Sequence, residues 1–194
     1  MVFAAMLPWQ FFASALTECS NSLITNANLL SKVYFPRLVV PTSAVIVSFV
    51  DFLISGILLL GLMIWFNAVP TWRILALPLV VAIAFAAAMG MGLWLAALNV
   101  QYRDFRYIVP FIVQFGLYIS PVGFSSTIVP EQWRLIYSIN PMVGVIDGFR
   151  WAIIGGDVQI FWPGFLLSVM LVILVLLTGI KYFRRMERSF ADII

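Results

Sequence analysis

Pro41-Thr-Ser-Ala-Val-Ile-Val-Ser-Phe-Val50-Asp-Phe-Leu-Ile-Ser-Gly-Ile-Leu-Leu-Leu60-Gly-Leu-Met-Ile-Trp-Phe66 is the stretch that decides the fold. A helix needs about 20 mainly apolar residues, at about 1.5 Å of rise each, to cross about 30 Å of hydrocarbon. This run exceeds that length and carries a single charge, Asp51. It reads as a membrane-spanning helix.

Working outward, two more runs have the same character. Ile74–Leu98 contains no charge, and its small residues from Ala82 to Gly92 suit close helix packing in lipid. Ile160–Ile180 is the third, with Pro163 near its start, where proline is tolerated. Two less uniform segments complete an expected set of about five spans. Val2–Ile24 begins apolar but includes Glu18, Ser20 and Asn21, and Tyr107–Ile119 is aromatic and closely followed by Pro121. Between the last two spans, Phe124–Gly156 is broken by Pro130, Pro141, Gly144, Gly148 and Gly155-Gly156. Its apolar runs are too short to span, so it is expected to form short helices that dip partway into the membrane. The fold class is all-α, a polytopic transmembrane helical bundle in one domain over residues 1–194.

Composition agrees. The chain is 63% hydrophobic and 10% charged, against about 25% charged residues in an average soluble domain. A net charge of +3 with no basic stripe gives no sign of a nucleic-acid partner. Cys19 is the one cysteine and there is no histidine, which removes a disulfide framework, a thiolate cluster and the commonest general base. No glycine-rich loop followed by Lys-Ser/Thr occurs, so P-loop nucleotide hydrolysis has no seat here. The reading is a non-enzyme with no cofactor of its own.

With five spans, Lys32, Arg37, Arg103, Arg106, Lys181, Arg184, Arg185 and Arg188 fall on one side, and Arg73, Arg134 and Arg150 on the other. The excess of positive charge marks the cytoplasmic side. The carboxyl terminus is therefore expected inside and the amino terminus outside. That arrangement implies a preceding segment with at least one more span.

Several residues stand out as candidates. The connection Asn26–Arg37 is amphipathic enough for a short surface helix presenting Lys32, Tyr34 and Arg37 to a partner, or for an ordinary anchored loop. Asn99–Arg106 reads as a turn in which Asp104 pairs with Arg103 or Arg106, worth about 0–1 kcal/mol at a surface. Glu18 and Asp51 each sit near mid-depth of a span, where a carboxyl is costly unless neutral, paired or facing water. They suggest either a proton relay or hydrogen bonds with Ser20, Asn21, Ser48 or Ser55. Trp9, Trp65, Trp72, Trp133, Trp151 and Trp162 fall near expected outer ends, as an interfacial belt would. Tyr107, Phe111, Phe115 and Tyr118 recur on one helical face, offering either helix packing or stacking surfaces to a sugar chain.

Five motifs occur in order: Leu7-Pro-Trp-Gln-Phe-Phe12, Asn26-x-Asn-Leu-Leu-x-Lys-Val-Tyr-Phe-Pro-Arg37, Leu98-Asn-Val-x-Tyr-Arg-Asp104, Ser120-Pro-Val and Asn140-Pro-Met. Together they resemble the membrane subunit of type-2 ABC exporters, specifically the bacterial polysaccharide and polyol phosphate export permeases. The resemblance implies a subunit that moves lipid-linked O-antigen, teichoic acid or capsule across the cytoplasmic membrane. It implies a coupling helix in Asn26–Arg37 that docks on an ATP-binding subunit, with Lys32, Tyr34, Phe35, Pro36, Arg37, Arg103 and Asp104 as the coupling residues. ATP and magnesium would bind that partner and not this chain. Phe124–Gly156 would be a re-entrant pair of short helices on the outer side. A second permease copy would complete a homodimeric channel within membrane lipid, lined toward the glycan by Trp9, Phe12, Phe111, Phe115 and Tyr118. Relative to the family, the amino-terminal amphipathic helix and first span are lacking. The alternatives are a drug- or lipid-exporting relative, a proton-coupled secondary transporter using Glu18 and Asp51, or an inactive truncated remnant. An ATP-binding gene beside glycosyltransferase genes would separate the first reading from these.

Overall fold

The computed structural model describes residues 2–28, 36–65, 72–102, 104–155 and 159–187. Among these the order is α1 (Val2–Thr25), α2 (Val39–Trp65), α3 (Leu77–Gln101), α4 (Phe105–Ile119), α5 (Glu131–Tyr137), α6 (Pro141–Ile154) and α7 (Trp162–Met186). Short 3₁₀ turns at Trp72–Ala76 and Ser126–Ile128 precede α3 and α5. No strand occurs among the described residues. The fold is an all-α polytopic bundle.

Three helices are long and apolar enough to cross a membrane: α2, α3 together with its 3₁₀ entry, and α7. Helix α2 is apolar on nearly every face, and Val47, Ile57, Leu58 and Ile64 point away from the chain. A helix of that kind needs an apolar surrounding on its outer side, which lipid supplies. At α4 the apolar helix is 15 residues, about 22 Å by helical rise, short of the hydrocarbon thickness.

Helix α1 is long enough but mixed in composition, and it occupies the centre. It packs against α2, α3, α4 and α6, and Ala5, Ala15, Leu16, Cys19 and Leu23 are fully enclosed. One half of the core is a ring cluster in which Phe11 meets Phe49 and Phe52 at 5.7 and 5.3 Å, and Phe52 meets Phe149 at 5.9 Å. Tilted and edge-on ring pairs of this type contribute about 0.5–1.5 kcal/mol each beyond area burial. Toward the other end, Asn99 of α3 is buried and donates Nδ2 to the Ser20 carbonyl at 2.9 Å and to Asn21 Oδ1 at 3.1 Å. This fixes the register of α3 on α1.

Glycine sets how closely α3 and α7 cross. A Cβ on Gly179 would stand 2.5 Å from the Gly90 carbonyl oxygen, and one on Gly90 would stand 2.7 Å from the Leu176 backbone. The two backbones touch, as small residues permit in lipid, where packing rather than water exclusion drives association. Between α3 and α1 the same role falls to Gly92, which faces the Cys19 side chain.

The stretch Phe124–Gly156, expected to form short helices, gives a 3₁₀ turn, the exposed α5 and the largely buried α6. Helix α6 is wedged against α1, α3 and α7. The Gly155 backbone at its end has φ 63°, the region only glycine enters freely.

Gly90→Leu and Gly179→Leu should each destabilise the chain by about 1–3 kcal/mol through overpacking. Gly56→Leu should be nearly silent, since no atom lies within 4 Å of its Cβ position. Thermal unfolding of the three variants in detergent, followed by size exclusion, checks the contrast.

Candidate functional site

Two regions carry the chemistry, at opposite ends of the last helix. The first is a corner where α2 begins and α7 ends. Pro36 has no amide proton to donate, and the chain turns through Arg37 into α2, with the Val39 amide bonding the Pro36 carbonyl at 3.0 Å. Arg37 then reaches across the fold. Its backbone N–H donates to Glu187 Oε1 at 3.2 Å and its guanidinium Nη1 donates to the Glu187 carbonyl at 2.7 Å. A cation at the carboxyl end of a helix also meets the negative end of the helix dipole. Phe183 is fully buried beside this clasp, packed with Val40, Leu23 and Leu93. One turn away Tyr182 stacks on Trp94 of α3 at 4.3 Å and 11°. The start of α2 and the ends of α3 and α7 are thus tied together by direct contacts.

The sequence-derived coupling residues divide. Arg37 is in the corner and half-buried, and Pro36 is exposed beside it. Lys32, Tyr34, Phe35 and Arg103 lie outside the described residues. Asp104 is exposed and opens α4, its carbonyl accepting the Tyr107 amide at 3.0 Å. The pairing of Asp104 with Arg106 is not formed: Arg106 donates to the Tyr107 hydroxyl at 3.0 Å and lies 5.0 Å from that ring's centre. Ring and hydroxyl together hold the guanidinium against α4.

The aromatic residues expected to meet a glycan also divide. Phe111, Phe115, Tyr107 and Tyr118 are 51–72% exposed along one face of α4, with Phe111 and Phe115 4.3 Å apart. Trp9 and Phe12 are different. Each is 5% exposed, and the Trp9 ring packs so closely on Gly116 that a Cβ there would stand 2.7 Å from Cη2. Trp9 belongs to the α1–α4 packing and Phe12 lies beside it, ring centres 5.7 Å apart, and neither is open to a solute outside the chain. Trp9 likewise leaves the interfacial set. Trp65, Trp72, Trp133 and Trp162 remain exposed, and Trp151 sits between Trp72 and the Arg73 guanidinium.

The acids Glu18 and Asp51 are both on the outside of the single chain. Their expected hydrogen bonds are absent among the described residues. Ser20 donates to the Thr17 carbonyl, Asn21 likewise, and Ser48 faces Ser14 at 3.3 Å. Asp51 instead lines a groove between α1 and α2 in which Gln10, Ser14, Ser48 and Ser55 alternate with apolar residues such as Phe3, Met6 and Phe11.

The second region is the far end, where the chain leaves α4 and returns through α5 and α6. Arg150, buried on α6, donates Nη1 to the Phe124 carbonyl at 2.7 Å and Nη2 to the Val122 carbonyl at 2.8 Å. Asn140 caps α6 by accepting the Met142 amide and donates to Ser120 Oγ at 2.9 Å. The Tyr137 hydroxyl donates to the Ile119 carbonyl at 2.7 Å. Asp147, one turn before Arg150, is held above the usual carboxyl range by burial, with a Ser126 hydrogen bond and the Arg150 charge opposing. Sequence reasoning counted Arg150 only as an outer-side charge and passed over Asp147 and Glu187. The available signals were Asp147-x-x-Arg150 inside an apolar run, and a lone acid within the basic stretch Lys181–Arg188.

With this geometry in place, comparison with known proteins gives a consistent picture. The ABC-2 type transporter family profile matches residues 1–154. The chain is 32% identical over 151 residues to the O-antigen export system permease protein RfbA of Myxococcus xanthus, an alignment covering 77% of this chain and 58% of that protein. Its identity to the RfbA of Klebsiella pneumoniae is 26% over 191 residues, covering 97% of this chain and 73% of the relative. The inner membrane transport permease YadH of Escherichia coli is 30% identical over 124 residues, 60% of this chain and 47% of its own length. An apolar polytopic bundle, matched by one transporter family over most of its length, has one assignment: the chain belongs to the ABC-2 type transporter family.

Proposed function

We propose that this chain is the permease subunit of an ABC exporter that carries a lipid-linked polysaccharide, of O-antigen, teichoic acid or capsule type, across the bacterial cytoplasmic membrane. The observation that carries the reading is the similarity to O-antigen export permeases along 97% of the chain. The exposed ring face of α4 supports it, because a sugar's C–H surface stacks on aromatic rings while its hydroxyls stay in water. Residues Phe111, Phe115 and Tyr118 line the path in this reading, facing a second copy of the chain across it. Trp9 and Phe12 then act one layer back, as the packing that holds α4 in place.

Energy comes from an ATP-binding partner, which holds ATP and magnesium. It docks on the connection ending at Arg37, together with Arg103 and Asp104, and its closure pushes on that corner. Because Arg37 clasps Glu187, a push there reaches α2 and α7 together rather than α2 alone. The corner, and with it the carboxyl terminus, lies in the cytoplasm by the eight-to-three division of positive residues.

Orientation is checked by fusing alkaline phosphatase after Ile194. The expected outcome is no phosphatase activity in intact cells, and strong activity would reverse every side assignment.

Phe115→Ala and Tyr118→Ala should leave stability within about 0.5 kcal/mol, since both side chains are exposed. Export of glycan should nevertheless fall severalfold, read by surface immunoblotting. Unchanged export would remove the α4 face from the path.

Arg37→Ala removes a charge-assisted hydrogen bond of a kind worth about 1.5–3 kcal/mol, so export should drop about tenfold or more while membrane insertion persists. Stimulation of the partner's ATPase by the permease should fall with it. Normal export and normal stimulation would reduce the corner to a membrane anchor.

A further inference from the structure

At the end of the bundle opposite the Arg37–Glu187 corner, α5, α6 and the entry to α7 surround a cavity of about 160 Å³. Its walls combine two chemistries. Ser126, Tyr137, Asp147 and Gln159 supply polar groups, and Phe161 and Phe165 supply rings. The Phe165 ring is held against the glycine face of α6, where a Cβ on Gly148 would stand 3.2 Å from its edge and one on Gly144 3.6 Å.

Most of the charged groups here are already engaged, Arg150 Nε being the buried exception, and that narrows the ligand. Arg150 spends its two terminal nitrogens on the Phe124 and Val122 carbonyls. Arg134, which unlike Arg150 lines the wall, donates to the Val129 and Thr127 carbonyls at 3.0 and 3.1 Å and has Glu131 3.9 Å from its Nη1. Ser126 and Arg150 both favour the charged form of Asp147, but a carboxyl has about four acceptor positions and most remain for a ligand's donors. An anion would meet Asp147. A cation would find one carboxyl already balanced by arginine. A purely apolar ligand would leave the half-buried Asp147 carboxyl without a partner, which costs affinity. A sugar ring satisfies all of them, with neighbouring hydroxyls for a carboxyl and an amide and a C–H face for a phenyl ring. The volume is below the roughly 300–1,000 Å³ of pockets for drug-sized ligands, so a single ring fits and an oligosaccharide does not.

We propose that this cavity binds one sugar ring of the exported polymer, Asp147 and Gln159 taking its hydroxyls and Phe161 or Phe165 its C–H face. The identification of the sugar as part of the cargo rests on the export reading above. A foothold at this end of the helices would hold the polymer between strokes and oppose its slipping back.

The test uses the full chain in lipid nanodiscs. Cys19 is its one cysteine and is fully buried, so Thr127→Cys places a single reactive thiol in the cavity wall. Its rate of modification by a small maleimide is followed with the methyl glycosides of mannose, galactose, rhamnose and N-acetylglucosamine, and with sorbitol as an open-chain polyol. At least one glycoside should slow the reaction severalfold while sorbitol does not. Asp147→Asn should raise the half-protecting concentration about tenfold, the loss of one hydrogen bond to a charged group. Gln159→Ala gives a second, exposed site for the same measurement should Asp147→Asn fail to fold. The proposal is overturned if no glycoside protects, if sorbitol protects equally, or if neither substitution weakens protection in a folded chain. Glycan export with the ATP-binding partner is measured in parallel. Export without protection sinks the cavity site alone, and protection without export sinks the export reading while the sugar site stands.

Discussion

A backbone N–H or C=O left without a partner in hydrocarbon costs several kcal/mol, and this constraint bears on the described stretches where the chain departs from helix. Between α4 and α6 the departure is long, and side chains meet the cost. Arg150 takes the carbonyls of Val122 and Phe124, Tyr137 takes that of Ile119, and Arg134 takes those of Thr127 and Val129. Asn140 caps the next helix and ties it to Ser120. Two of the recurring short motifs, Ser120-Pro-Val and Asn140-Pro-Met, thereby become the two halves of one hydrogen bond.

The opposite end obeys the same rule with a different result. There the clasp between Arg37 and Glu187 joins residues 150 positions apart, and the stacked Trp94–Tyr182 pair joins α3 to α7. Since Gly90 and Gly179 let those two helices touch along their backbones, little slack remains between the corner and the core. In the export reading proposed above, a force applied near Arg37 would meet this packing first. The far end is built of short helices and side-chain staples.

Which aromatic residues face outward separated the sequence reading from the structure most sharply. Tyr107, Phe111, Phe115 and Tyr118 repeat at helical spacing, and α4 has too few neighbours to cover them. Trp9 and Phe12 sit on a helix of similar apparent apolarity, yet α1 is surrounded on four sides. Local hydrophobicity does not say which helix takes the centre. The acids show the converse. Glu18 and Asp51 were placed at depth by counting residues, and their outward-facing positions follow from the rotation of α1 and α2, which packing sets.

The sequence by itself determined that the chain is an all-α membrane bundle and where its long helices run, because length and apolarity are local properties read against a fixed hydrocarbon thickness. It also marked the motif positions Arg37, Asn99, Ser120 and Asn140. Only the tertiary structure decided what they do, since each finds its partner on a different element: Glu187, Ser20 and, for Ser120 and Asn140, each other. The central place of α1 and the cavity at Asp147 were decided there too. Both arise from how helices rotate and close on one another, and that depends on contacts between residues far apart in the chain.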